Sequence, residues 1–81
     1  MERIELLALF KDGTQVFRIV QRILLSGQIL NHQFYEMNIL RYSARIREIR
    51  TILERVGYVL PGKREKGGVW KYTIIKIGGG E

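Results

Sequence analysis

The chain has 81 residues, fourteen basic and eight acidic side chains, one histidine and no cysteine. A domain this short buries only about 60% of the surface its unfolded form exposes, which leaves little room for an enclosed substrate cavity. The missing cysteines exclude a disulfide scaffold and a zinc finger, and no apolar run is long enough to cross a bilayer.

The opening MERIELLALF has acids where a secretion signal needs bases. Glu, Leu and Ala favour helix there, while Asp12-Gly13 suits a hairpin turn; the reading adopted for residues 1–13 is an extended, strand-like N-terminal arm. Thr14 to Ser26 reads as a helix, with Thr14 as N-cap, Gly27 as stop, and Val16, Val20, Ile23 and Leu24 at helical spacing. Gln28-Ile29-Leu30 is an apolar link with the length of a very short strand. Asn31 is the next N-cap candidate and opens a short helix through Met37, with Phe34 and Met37 inward. Asn38 suits the left-handed conformation that ends a helix.

From Arg41 to Val56 the apolar residues Tyr42, Ile46, Ile49, Leu53 and Val56 form one stripe of helical period. Ser43, Ala44, Arg47, Thr51 and Arg55 lie opposite it, with Arg45 and Arg50 on the flanks. Two apolar runs follow, Tyr58-Val59-Leu60 and Val69 to Ile77. The loop between them, residues 61–68, begins Pro-Gly, ends Gly-Gly and carries charge in its middle, as a hairpin tip does. On the second strand Trp70, Tyr72 and Ile74 share the inward face. The tail Gly78-Gly79-Gly80-Glu81 reads as flexible.

Charge is unevenly placed. Residues 1–40 carry four basic and four acidic groups; residues 41–81 carry ten basic and four acidic, so the whole net charge of +6 belongs to the second half. Such an asymmetry suits a polyanionic partner for one face. The order helix, short strand, short helix, tight turn, long basic helix and basic hairpin is that of an α+β winged helix-turn-helix over residues 14–77. In that layout the third helix buries its stripe and leaves its outer face free for a DNA major groove, with the hairpin beside it.

The stretch Arg41-Tyr42-Ser43-Ala44-Arg45-Ile46-Arg47-Glu48-Ile49-Arg50, followed by Gly57-Tyr58, is similar to a small winged helix-turn-helix family common in bacteriophage and prophage genomes. That family's third helix reads R-L-x-x-R-I-x-x-L-R before a Gly-Tyr, and Tyr72 and Ile74 match its Y-x-[LI] strand. Two features depart from it: Asn38-Ile39-Leu40 stands where the family has a small residue or Gly, and Thr51 to Val56 lengthens the third helix. The resemblance implies a DNA-binding protein of the host cytoplasm acting in gene regulation or recombination.

Geometry assigns the residues. Arg41, Ser43, Ala44 and Arg47, with Thr51 further along, sit where a recognition helix meets base edges, and Arg47 suits bidentate pairing with guanine. Lys63, Arg64 and Lys66 on the hairpin tip, and Lys71 on its strand, suit phosphates, as do Arg45 and Arg50. Each has a plainer alternative. Arg45 can serve a structural ion pair, Arg50 can pair with Glu54 at i,i+4, and a basic tip can simply aid solubility. Trp70 and Tyr72 are expected in the core rather than as stacking platforms. His32 has no partners for catalysis or metal binding, so the expectation is no enzyme, no cofactor, no metal, no membrane and no small-molecule substrate. Double-stranded DNA is the expected partner, with a homodimer possible through Ile4, Leu6, Leu7, Leu9 and Phe10. The rival readings are a protein-interaction winged helix acting as adaptor or inhibitor, and an architectural or recombination-accessory DNA binder.

Overall fold

The computed structural model describes residues 3–77 and is α+β: short helices with small antiparallel sheets. The 78–81 tail expected from the sequence lies outside the described residues.

The N-terminal segment is a correction. Arg3–Leu9 is a 3-10 helix rather than an extended arm, and Leu6 and Phe10 are buried in the core with the helices. Helix-favouring Glu, Leu and Ala at these positions leave the segment helical, and its apolar side covers α1. Full burial of a side chain like Leu6 is worth about 2 kcal/mol, so residues 3–10 belong to the domain instead of preceding it.

α1 spans Gln15–Ser26. The Thr14 hydroxyl accepts from the Phe17 N–H at 3.2 Å, and Gly27 closes the helix in the left-handed region, its N–H donating to the Ile23 carbonyl at 2.7 Å. Ile19, Val20 and Ile23 face the core. β1 is Ile29–Leu30 and α2 is Asn31–Glu36. The N-cap of α2 is Leu30, not Asn31; its N–H donates to Gln33 Oε1 at 2.8 Å, which frees the Asn31 side chain for another task.

α3 spans Tyr42–Glu54 and packs on α1. Beyond it come β2 (Tyr58–Val59), β3 (Gly62–Arg64), β4 (Trp70–Tyr72) and β5 (Ile75–Lys76). β2 pairs with β5, and β4 lies between β1 and β3, all antiparallel. The two pairs are one hairpin in one register: from Tyr58↔Lys76 to Gly62↔Tyr72 each strand advances four residues, with no bulge. Pro61 thins the ladder at its middle because it has no N–H to donate, while its carbonyl still accepts from Thr73 at 3.3 Å. The sequence had assigned residues 61–68 to a loop. The paired strand instead runs on through Arg64, and the tip is Lys66–Gly68 between the bonded pair Glu65 and Val69. Gly67 and Gly68 both have positive φ, 72° and 76°, which lets so short a turn reverse the chain.

Candidate nucleic-acid interface

The turn from α2 into α3 fixes how the third helix is presented. Asn38 adopts φ 61°, the Ile39 N–H reaches back to the Phe34 carbonyl at 2.8 Å and the Asn38 N–H to that of Tyr35 at 3.0 Å. These are the two bonds of a Schellman ending, with Asn in the left-handed position and an apolar residue after it. Ile39 is buried and its neighbour Leu40 is exposed, so the chain turns sharply out of the core and starts α3 at once. The absence of glycine from this turn is thereby explained: Asn38 supplies the left-handed step.

α3 sinks Ile46, Ile49 and Leu53 into the core. Tyr42 stacks on Phe34 with centroids 4.5 Å apart and planes 4° from parallel, and meets Tyr35 and Tyr72 edge-on. Aromatic pairs of this kind add about 0.5–1.5 kcal/mol each beyond burial, so Tyr42 ties α2, α3 and β4 together. The opposite side of α3 carries Ala44, Arg47, Glu48, Thr51, Ile52 and Arg55 around a shallow hollow whose lining, among the described residues, comes from this helix and its C-terminal end alone. Thr51 Oγ1 donates to the Arg47 carbonyl at 3.1 Å, which turns that hydroxyl's proton inward and leaves its lone pairs outward.

Three contacts hold the hairpin beside α3. Arg50 Nε donates to the Leu60 carbonyl at 2.9 Å. Arg3 Nη1 donates to the Ile74 carbonyl at 2.8 Å. The shared register makes Leu60 and Ile74 cross-strand neighbours, so an arginine holds the hairpin from each edge at its most buried rung. The third contact is Asn31, whose Nδ2 donates to the Gly68 carbonyl at 3.3 Å and whose Oδ1 accepts the Trp70 N–H at 3.1 Å. Leu30 already pairs with Lys71, so the Asn31 amide carries the ladder one step further with a side chain in place of backbone. It anchors the hairpin tip to the start of α2.

The residues singled out in the sequence fall into three groups. Ala44, Arg47 and Thr51 share the open side of α3, while Ser43 lies toward the hairpin. Arg47 also borders a cleft between α3 and the hairpin, about 330 Å³ in volume, together with Ser43, Ile46, Arg50, Gly62, Trp70 and Tyr72. Arg41 and Arg45 lie apart from these, around a hollow with Gln15, Asn38 and Leu40 on the α1 side. Arg45 pairs with Glu48 at 2.9 Å, and its Nε is buried without a hydrogen-bond partner. Of its two sequence readings, the structural pair is the one found. On the hairpin, Lys63 and Lys71 are directly opposed on the side turned away from α3. Arg64, Lys66 and Lys71 border a separate hollow near the hairpin tip with Gln28, Leu30, Glu65 and Val69.

Two sequence expectations are corrected here. The Arg50–Glu54 pair does not form, because Arg50 turns to the Leu60 carbonyl across the cleft. Trp70 is not a core residue: it is 39% exposed, whereas Tyr58, Leu60 and Ile74 on the same side of the hairpin are buried. The hairpin is longer than the helical layer beneath it, so its row of inward side chains outruns the core. The signal was in the numbering, since Trp70 lies only two residues past the tip glycines. Tyr72 is intermediate. Burial pushes its phenol pKa up, the neighbouring Tyr42 phenol adds to this, and Arg50 opposes it.

Gly62, opposite Tyr72, was also missed. A Cβ at this position would lie 2.7 Å from Tyr72 Cε1, so the absence of a side chain gives the Tyr72 ring its place. Among the described residues no group of His, Cys, Asp and Glu is arranged to hold a metal ion, and no helix is long and apolar enough to cross a membrane. Comparison of the chain with protein-family models, curated proteins and solved structures finds no match.

Proposed function

We propose that this chain is a winged helix-turn-helix protein that binds double-stranded DNA, with α3 in the major groove and the hairpin as the wing on the flanking backbone. The observation that carries the reading is the open side of α3, where Ala44, Arg47 and Thr51 border a shallow hollow lined, among the described residues, by this helix and its C-terminal end alone. A helix with its side chains is about 10–12 Å across, and the major groove is about 12 Å wide. Ser43 and Ala44 are short enough to let the helix approach, and Arg47 has the reach for guanine. Arg50, Arg64 and Lys66 supply positive charge to either side. Lys63 and Lys71, on the far side of the wing, act on the duplex through their field more than by contact. Arg41 is placed for the backbone on the α1 side, and Arg45 is structural.

Within this reading the protein is a regulator of the kind found in phage genomes, working without catalysis in the cytoplasm of a host. The test is fluorescence anisotropy of a labelled 25-base-pair random duplex at several salt concentrations. Log affinity falls linearly with log salt, with a slope near 0.9 per phosphate neutralised. After site selection, Arg47→Ala weakens the chosen site by about 1–3 kcal/mol and relaxes base preference, while Lys66→Ala weakens all duplexes alike. No binding at low salt sinks the reading and directs the search to a protein partner. Unchanged affinity of Arg47→Ala sinks the orientation of α3.

A further inference from the structure

The cleft between α3 and the hairpin differs from the other hollows of the surface. Ser43, Arg47 and Arg50 line one wall and Trp70 and Tyr72 the other, with the Tyr72 ring seated against Gly62. Among the described residues no carboxylate borders it, whereas Glu48 borders the hollow on the open side of α3 and Glu65 the one behind the hairpin. One wall is therefore cationic and polar, and the other is aromatic and held in position. Trp70 is fixed at its backbone by Asn31 and hydrogen-bonded through Lys71 and Tyr72 to both neighbouring strands. Arg50 is fixed through Nε, which leaves the donors on its two Nη atoms for a further partner. A 39% exposed tryptophan in so small a domain gives up burial that would otherwise stabilise the fold.

We propose that this cleft seats one sugar-phosphate strand of the bound duplex, with the Trp70 ring against a deoxyribose and Arg50 on the adjacent phosphate. The inference rests on the DNA-binding reading above and adds a contact to it. In B-DNA one backbone strand separates the major groove from the adjacent minor groove. If α3 occupies the first and the hairpin stands over the second, that strand passes between them, and the cleft is the space between them. An indole face on a sugar and a guanidinium on a phosphate read no base, so the contact sets affinity and register without sequence preference. The rival occupant, an unstacked base of a single strand against Trp70, uses the same aromatic wall without needing a duplex.

Trp70 is the one tryptophan of the chain, so its emission reports on the cleft. A fluorescein-labelled 25-base-pair duplex and the matching single strand are titrated at low salt, with label anisotropy and tryptophan emission read together. The expected result is one midpoint for both signals with the duplex, and at least a halving of acrylamide quenching of Trp70 at saturation. Trp70→Ala weakens duplexes of every sequence by about 5–30-fold, equivalent to about 1–2 kcal/mol, and Trp70→Phe recovers most of that loss. Circular dichroism of both variants checks that they are folded. Rising anisotropy with unchanged Trp70 emission and accessibility, or wild-type affinity in a folded Trp70→Ala, overturns the seat and leaves DNA binding standing. Single-strand affinity equal to or above that of the duplex, with Trp70 quenched, overturns it in favour of base stacking. No anisotropy change with either nucleic acid overturns both the seat and the reading it rests on.

Discussion

Replacing Gly62 by alanine gives a result opposite in sign to the usual one. A glycine in a strand with ordinary φ normally gains about 0.4–1 kcal/mol on replacement by alanine, because the unfolded chain loses freedom. Gly62, however, faces Tyr72 across a non-hydrogen-bonded rung, the closer of the two antiparallel spacings. The new Cβ would stand 2.7 Å from Tyr72 Cε1 and 3.1 Å from Cδ1. The ring cannot swing inward, since Phe34 and Tyr42 lie against it with centroids at 5.9 and 6.5 Å. Overpacking of this kind costs about 1–3 kcal/mol, so Gly62→Ala is net destabilising by about 1–2 kcal/mol. For a domain of this length that lowers Tm by about 4–16 °C. Urea denaturation of four proteins closes the cycle: wild type, Gly62→Ala, Tyr72→Ala and the double variant. In the Tyr72→Ala background the obstruction is gone, and the same substitution is neutral or stabilising. An equal loss in both backgrounds would refute the argument, because the cost would then come from the backbone and not from the ring.

Three further outcomes follow from the packing. Asn31→Ala removes both anchors of the hairpin tip and costs about 1–2 kcal/mol, seen most directly as faster amide exchange at Trp70. At the α2–α3 turn, Asn38→Gly is tolerated while Asn38→Ala loses about 1 kcal/mol, since the position has φ 61°; equal urea midpoints for the two would contradict the left-handed assignment. The Tyr72 phenol has a folded pKa raised above the ordinary 10.0, first by burial. Its stabilising contribution is complete below pH 10 and is lost as pH rises through the folded value. Urea midpoints therefore fall on the alkaline side, and Tyr72→Phe shows a shallower fall.

Elements set by local chemistry were legible in the sequence. Thr14 and Gly27 bound α1 as read, Asn38 ends α2, and the Ile46, Ile49 and Leu53 stripe buries α3. What stayed hidden depends on contacts distant along the chain. Residues 3–9 had no clear periodicity, and only packing on α1 decides for helix over strand. Asn31 looked like a cap because Asn favours that position; its amide is used by a strand 39 residues away. Arg50 had a local partner at i+4 and takes a carbonyl across the cleft instead. The open side of α3 was legible because one helical period defines it. The cleft was not, because it needs the register of the hairpin, which places Trp70 past the edge of the core.

The hold of Arg50 on Leu60 also bears on self-association. In the hairpin, alternate residues such as Pro61, Lys63 and Glu65 spend their backbone groups on the facing strand. The residues between them turn N–H and C=O toward the free edge of β3, where a strand from another copy could add. Arg50 occupies the Leu60 carbonyl there, Pro61 interrupts the outgoing strand, and Lys63 and Arg64 charge its outer stretch. An incoming strand from an identical chain would meet a filled acceptor and then its own like charges. The arginine that ties α3 to the hairpin thus also closes the sheet against growth, and a variant lacking it should be watched for β-rich aggregates before any loss of affinity is attributed to the proposed DNA contact.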